Sequence, residues 1–95
     1  MNEMYQLAHT LGVNWDDAVE SFSKDKRVGQ SHLSVPGPDG EYGFGGKCFP
    51  KDINALINIM KDKGISPLVL KSAWTKNLEV RKIKDWEDIS GAVSR

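Results

Sequence analysis

Residues 43–56 read G-F-G-G-K-C-F-P-K-D-I-N-A-L and contain the single cysteine of the chain, Cys48. Pro50 has a fixed φ and lacks an N–H, and apolar residues follow it at helical spacing. This pattern predicts a helix with Pro50 in its first position. Cys48 is then expected just ahead of the helix N-terminus, where unpaired N–H groups and the helix dipole favour an anion. The stretch therefore predicts a nucleophilic thiol held at the start of a helix.

Charged residues and glycines on both sides of Cys48 strengthen this prediction. Lys47 and Lys51 are nearby cations, and Asp52 is expected in the first helical turn, a favourable place for a carboxylate. The glycines of residues 43–46 lack a Cβ atom, so backbone or a ligand can approach them closely. A buried, chemically inert cysteine is the alternative, and these residues alone leave it open.

The composition is that of a small globular protein. The 95 residues suffice for one domain, and 39% of them are hydrophobic and 27% charged. Thirteen basic and thirteen acidic side chains cancel, so neither a nucleic acid nor a membrane surface is expected as a partner. One cysteine excludes an internal disulfide and fits a reducing cytoplasm. No metal site is expected.

The first quarter of the chain predicts two short helices. Residues 1–11 carry an apolar stripe at helical spacing, and Gly12 is placed to close that helix. The stripe is already present at residue 1, as if the helix were entered partway. Asn14 is a strong N-cap for a second helix that runs to about Ser23. His9 is expected on the surface. The stripe consists of Met1, Met4, Tyr5, Ala8 and Leu11.

Residues 24–42 have no helical or strand periodicity and are rich in glycine and proline, which predicts a long loop. Loops of this length in small domains are often functional. Arg27 carries a fixed charge and a planar fork of donors, suited to hydroxyls, carboxylates or phosphates. His32 could serve Cys48 as a base, although only the presence of both residues supports that pairing.

The second half of the chain predicts two longer helices. The helix from Pro50 is expected to run to about Lys63, with Gly64 ending it. Ser66 and Pro67 form a predicted N-cap and first position for a helix that continues to about Lys82. Asn77 and Arg81 are expected at the polar edge of its apolar face, and Trp86 is expected to dock before the tail frays.

These patterns predict an all-α fold of about four helices, with a long Gly/Pro-rich loop before the cysteine helix. Residues 1–84 are expected to form the helical domain and residues 85–95 a C-terminal tail.

The stretch at residues 43–56 closely resembles the active-site cysteine segment of the UDP-glucose/GDP-mannose dehydrogenase family. Further matches are D-K-R-V-G at residues 25–29 and S-H-L at residues 31–33. The resemblance covers nearly the whole chain. It points to the helical middle domain of such enzymes, which in the family dimerises and carries the cysteine.

The resemblance implies a chemistry for the cysteine. Enzymes of this family oxidise the C6 hydroxyl of a nucleotide-bound hexose, UDP-glucose or similar, to a carboxylate with two NAD⁺. The thiolate traps the aldehyde as a thiohemiacetal, which becomes a thioester and is hydrolysed. By position Cys48 is the nucleophile, and Asp52 orders polar groups and water beside it. The implied substrate contacts are Phe44, Gly45, Lys51 and, from the neighbouring subunit of a homodimer, Arg27.

The chain also departs from a complete enzyme of this kind. It contains no G-x-G-x-x-G motif and no βαβ pattern, so it is expected to bind no NAD by itself. The family's catalytic lysine and asparagine are expected upstream of Met1. We therefore expect the covalent part of an active site, inactive alone, which a separate NAD-binding domain would complete. Two alternatives stay open: a structural dimerisation module with a vestigial site, and an unrelated thiol or redox protein that uses Cys48.

Overall fold

A computed structural model of the chain describes residues 1–29 and 31–89. The chain divides into two compact units, Met1–Gly40 and Glu41–Arg95. The described residues form four α-helices and one 3₁₀ turn and contain no strand. This confirms the predicted all-α fold class. None of the described helices combines the length and apolar character that crossing a membrane requires.

The first unit contains α1 (Asn2–Leu11) and α2 (Trp15–Phe22), as predicted. Gly12 adopts φ 73° and donates its N–H to carbonyls of the last turn of α1, a conformation that glycine adopts without strain. The Asn14 side chain accepts a hydrogen bond from the Asp17 N–H at 2.9 Å. A glycine stop and an asparagine cap thus fix the turn between the helices.

Aromatic contacts hold α1 and α2 together. The Tyr5 ring stacks on His9 and meets Trp15 edge-on, with centroids 6.2 and 5.9 Å apart. Ala8 is buried, but several apolar side chains of α1 remain about half exposed or more. An open apolar groove of about 370 Å³ lies along this unit. Met4, Leu7, Leu11, Trp15 and Phe22 are among the residues that line it.

The described residues between α2 and α3 contain neither helix nor strand, which confirms the predicted long loop. Leu33 is a buried residue of this loop. His32 adopts φ 63°, and the Val35–Pro36 peptide bond is cis.

The second unit contains α3 (Cys48–Asp62), α4 (Leu68–Val80) and a 3₁₀ turn (Asp85–Asp88). Helix α3 begins two residues earlier than predicted, so Pro50 is its third residue and Cys48 its first. The predicted first position for Pro50 is therefore wrong. None of the first four N–H groups of a helix has an acceptor within the helix, so proline is tolerated anywhere in the first turn. Asp52 consequently lies in the second turn, not the first.

The other helix ends lie close to their predicted positions. Helix α3 ends at Asp62, and Gly64 follows it with φ 74°. Pro67 is the N-cap of α4, so the assignment of that role to Ser66 was wrong by one residue. The Pro67 carbonyl accepts the first intrahelical hydrogen bond, from the Lys71 N–H at 2.8 Å, which is what an N-cap residue does.

An aromatic cluster forms the core of the second unit. Trp86 is fully buried, which confirms its predicted docking, and its ring centroid lies 5.2 Å from that of Trp74. Phe44 lies 6.0 Å from Trp74 and meets Phe49 edge-on at 5.5 Å. The cluster joins α3, α4, the 3₁₀ turn and the segment before the cysteine. The predicted boundary at residue 84 stays a prediction, and the predicted fraying of residues 90–95 lies outside the described residues.

The Asn14 cap leads to a stability prediction. Asn14→Ala removes the acceptor of the Asp17 N–H and should lower the free energy of unfolding by about 0.5–2 kcal/mol. Asn14→Asp keeps an acceptor at this position and should retain most of the stability. Thermal unfolding followed by circular dichroism measures both variants. Equal loss in the two would show that the cap hydrogen bond is not responsible.

Candidate functional site

Cys48 is an exposed free cysteine at the first position of α3. Lys51 and Asp52 follow it by three and four residues, and side chains at these spacings share one face of a helix. The Lys51 Nζ lies 3.7 Å from Asp52 Oδ1, and both side chains are substantially exposed. Because Cys48 belongs to the helix, α3 presents a thiol, a cation and a carboxylate on one solvent-facing surface.

The segment before the cysteine, residues 43–46, is held by a side chain of α4. The Phe44 N–H donates to Asn77 Oδ1 at 2.7 Å, and Asn77 Nδ2 donates to the Phe44 carbonyl at 2.9 Å. Asn77 is only 2% exposed. Its carboxamide therefore satisfies both backbone groups of Phe44, as a neighbouring β-strand would.

A second polar contact holds the same segment two residues later. The Gly46 N–H donates to Asp85 Oδ1 at 2.9 Å, and that oxygen lies 3.6 Å from the guanidinium of Arg81. Arg81 is only 3% exposed, and its Nε donates to the Ile83 carbonyl at 2.7 Å. A buried charge requires an opposite charge and hydrogen bonds, and Arg81 has both.

These contacts explain two of the glycines. A Cβ atom at Gly43 would overlap the Asn77 side chain, and one at Gly45 would overlap Arg81 and Asp85. Gly43 also adopts φ 69°, a conformation that other residues rarely adopt. At these two positions the close approach expected from the sequence is made by the domain's own side chains.

Asn77 and Arg81 were predicted at a polar edge, and that prediction is wrong, since both are buried. Their spacing along α4 places them on one helical face together with apolar residues. Polar residues at two successive turns of an apolar stripe are the sequence signal for a buried polar contact. The partner of Asn77 is Phe44 and a distant partner of Arg81 is the Tyr42 carbonyl. Both lie more than thirty positions away and have no comparable signal.

The residues assigned to substrate binding fall into different surroundings. The Phe44 ring packs against Phe49 and Trp74, while Gly45 lies between the two anchored residues. Lys51 lies on α3 beside the carboxylate of Asp52. Phe44, Gly45 and Lys51 thus lie in the unit that carries Cys48, and their contact with substrate stays a prediction.

Arg27 lies in the Met1–Gly40 unit and is paired with Asp25. Its Nε and NH2 donate to the two carboxylate oxygens at 3.1 and 2.7 Å, and its backbone N–H donates to Asp25 at 2.9 Å. The Arg27 side chain is nevertheless 89% exposed. The hydrogen bonds between these side chains lower the pKa of Asp25 and raise the pKa of Arg27. His32 belongs to the same unit, and its pairing with Cys48 stays a prediction.

The glycine-rich segment at residues 43–46 does not provide a free phosphate-binding loop. The N–H groups of Phe44 and Gly46, which could cradle a phosphate in a glycine-rich loop, already donate to Asn77 and Asp85. The Asp85 carboxylate at this place disfavours a further anion. Within residues 1–29 and 31–89, no group of three or more His, Cys, Asp or Glu side chains could hold a metal ion.

The tight approach at Gly45 leads to a prediction. Gly45→Ala should lower the free energy of unfolding by about 1–3 kcal/mol, because the added methyl overlaps Arg81 and Asp85. Gly29→Ala is the matched control, since a Cβ there meets open space among the described residues, and should change stability by less than about 1 kcal/mol. Urea denaturation followed by circular dichroism compares them. An unchanged Gly45→Ala variant would contradict the close approach.

Comparisons with known proteins find relatives in one enzyme family. Residues 1–79 match the model of the UDP-glucose/GDP-mannose dehydrogenase family, central domain. The UDP-glucose 6-dehydrogenase of Rickettsia prowazekii is 40% identical over 77 residues, which are 81% of this chain and 17% of the relative. That of Pseudomonas aeruginosa is 34% identical over 83 residues, 87% of this chain and 17% of the relative.

A more distant relative is the UDP-glucose 6-dehydrogenase of Haloferax volcanii, 32% identical over 72 residues, 76% of this chain and 16% of the relative. The chain therefore spans about one sixth of the length of these relatives, 16–17%. No solved structure shows a significant match. The family model covers α1, α2, the long loop and the cysteine helix together, and the chain belongs to the UDP-glucose/GDP-mannose dehydrogenase family, in the region of its central domain.

Proposed function

We propose that this chain supplies the covalent part of a nucleotide-sugar dehydrogenase site, with Cys48 as the nucleophile. The observation that carries the proposal is the exposed thiol at the first position of α3, in a chain of this family. The substrate is a nucleotide-bound hexose of the UDP-glucose type. The relatives that support this choice are named UDP-glucose 6-dehydrogenases.

The covalent step uses the aldehyde of the hexose at C6. The Cys48 thiolate adds its sulfur to the aldehyde carbon, a C–S bond forms, and the carbonyl π bond opens. The oxygen takes a proton from water, which gives a thiohemiacetal.

Between the two steps the thiohemiacetal carbon would lose a hydride to NAD⁺ held outside this chain, and its hydroxyl would lose a proton, which gives a thioester. The end of the reaction releases Cys48. Water adds to the acyl carbon of the thioester, the C–S bond breaks, and the thiolate leaves as the uronate forms. We assign to Asp52 the ordering of that water, since it lies one helical turn beyond Cys48 on the same face. Lys51, three residues beyond Cys48, offers a cation for the substrate.

Other residues complete the proposed site. Phe44 and Gly45 shape its sugar side, through a segment whose backbone is anchored at both ends. Arg27 is assigned to the site of a neighbouring subunit. The required hydride acceptor, NAD⁺, is assigned to another domain of the complete enzyme, since the N–H groups of the glycine-rich segment are already used within this chain. A reducing cytoplasm keeps the single thiol available.

The covalent step is tested with the aldehyde form of UDP-glucose, labelled isotopically at the aldehyde carbon. The 95-residue chain should capture it, and a new NMR resonance of a thiohemiacetal carbon should appear, because the Cys48 thiol is exposed and needs no oxidant for this step. Cys48→Ala should abolish the resonance. Asp62→Asn, at the far end of α3, should retain it.

A folded wild-type chain that forms no adduct would overturn the covalent role. The structural dimerisation module would then be the better description. Adduct formation that persists in Cys48→Ala would show that another group captures the aldehyde.

We also propose that the chain forms a symmetric homodimer through its first unit. Leu7 and Leu11 of α1 are 52% and 66% exposed, and an apolar groove runs beside them. Apolar surface of this kind in a small unit is stabilised when a second copy covers it. A two-fold interface would repeat the contacts on both copies.

Sedimentation at micromolar concentration should show a dimer. Its interface should bury at least roughly 1,200 Å² in total, the lower end for stable interfaces. Leu7→Glu should dissociate it, because a carboxylate would be buried in an apolar interface. Gln6→Glu adds the same charge one position away, on an exposed polar residue, and should leave the dimer intact. A monomeric wild type, or equal effects of both substitutions, would contradict the proposed interface.

A further inference from the structure

Asn77 is a buried polar side chain on the face of α4 that also carries its apolar residues. It is 2% exposed, and both ends of its carboxamide bond the Phe44 peptide. Leaving either group unpaired in such a place costs about 1–3 kcal/mol. An asparagine here is therefore selective for one arrangement of the Phe44 peptide, with its N–H and carbonyl both facing α4.

The second anchor limits the movement of the segment further. Asp85 accepts the Gly46 N–H at 2.9 Å, and Arg81 lies 3.6 Å from the same carboxylate oxygen. Arg81 also donates to the Tyr42 carbonyl at 3.5 Å, just before the segment. Backbone groups are thus held before, at and after Phe44.

The held segment leads directly into the cysteine helix. One residue, Lys47, separates Gly46 from Cys48, and Lys47 is the N-cap of α3. Its carbonyl accepts the first intrahelical hydrogen bond, from the Lys51 N–H at 3.2 Å. The direction in which the chain enters α3 therefore depends on where Gly46 is fixed.

We propose that Asn77, supported by Arg81 and Asp85, is a positioning residue for the Cys48 site. It acts through the Phe44 peptide, fixing residues 43–46 and with them the entry into the first turn of α3. The assignment deepens the proposed function, on which it rests for the identity of the substrate. It gives α4 and the 3₁₀ turn a role in a site whose proposed chemical groups lie on α3.

The chemistry of the asparagine side chain makes the proposal specific. A carboxamide offers one acceptor and donors in the arrangement that a peptide needs. An alanine offers neither. A carboxylate keeps the acceptor for the Phe44 N–H but turns a second acceptor toward the Phe44 carbonyl, whereas a protonated carboxyl donates to that carbonyl as the asparagine does.

The test uses amide NMR of the uniformly labelled 95-residue chain at a temperature where circular dichroism shows it folded. Asn77→Ala should raise the exchange rate of the Phe44 amide on the order of tenfold, because its acceptor is lost. The resonances of Gly46, Lys47 and Cys48 should also shift. Asn58→Ala, an exposed asparagine of α3, is the matched control and should alter only its immediate surroundings.

Asn77→Asp separates positioning from packing, because its volume is nearly that of asparagine. Burial and the facing Phe44 carbonyl raise the pKa of the introduced carboxyl, while Arg81, one turn along α4, opposes this and is itself paired with Asp85. With a folded-state pKa above the unfolded value, the hydrogen bonds are present at low pH and are lost as pH rises through the folded pKa. Wild-type positions of the Gly46 and Cys48 resonances should therefore return on acidification.

The outcomes decide between the roles. Unchanged Phe44 exchange and Cys48 resonances in Asn77→Ala would overturn the proposal, as would Asn77→Asp resonances that do not respond to pH. If Asn77→Ala does not fold, the pH response of Asn77→Asp decides alone. Aldehyde capture at Cys48 is measured in a separate experiment. Its failure would overturn the proposed function, whereas the positioning role of Asn77 would still be decided by the amide signals.

Discussion

The pairing of the Asn77 carboxamide with the Phe44 peptide is the interaction on which the cysteine site depends. Two hydrogen bonds of 2.7 and 2.9 Å hold a loop residue as firmly as a strand neighbour would, although the described residues contain no strand. Because Asn77 is buried, releasing Phe44 would leave polar groups without water or partner. The Phe44 ring packs on Trp74, and Trp74 packs on Trp86. Phe44 is therefore held both by the hydrogen bonds of its backbone and by the packing of its ring.

The same network accounts for the composition of the segment before the cysteine. Glycines at 43 and 45 admit the side chains of α4 and the 3₁₀ turn, whereas Gly46 supplies φ 80° and an N–H for Asp85. A glycine-rich stretch before a helix resembles a phosphate-binding loop in composition. Here its N–H groups are used within the domain. The physical difference lies in what occupies the space beside the glycines, and that space is filled from elsewhere in the chain.

The sequence predicted local features well because local physics determines them. Gly12 and Asn14 mark helix ends through backbone conformation and capping, and both lie where expected. The start of α3 predicted from Pro50 was wrong by two residues, because a proline is tolerated at any position of the first turn. Asn77 and Arg81 were misplaced for another reason. Helical periodicity gives the face on which a residue lies, but the burial of a polar side chain depends on a partner distant in sequence.

The shift of α3 by two residues changes the chemistry that the chain can offer. Had Cys48 preceded the helix, its geometry relative to Lys51 and Asp52 would have depended on a loop. As the first residue of α3, Cys48 is related to both by fixed helical spacing. The thiol and the carboxylate therefore keep a fixed spacing along α3. Arg27 is different, because its side chain is 89% exposed and that of its partner Asp25 is 42% exposed. Exposed ion pairs contribute little to stability, so breaking the Arg27–Asp25 pair would cost little, whereas breaking the pair of the buried Arg81 would leave a buried charge without a partner.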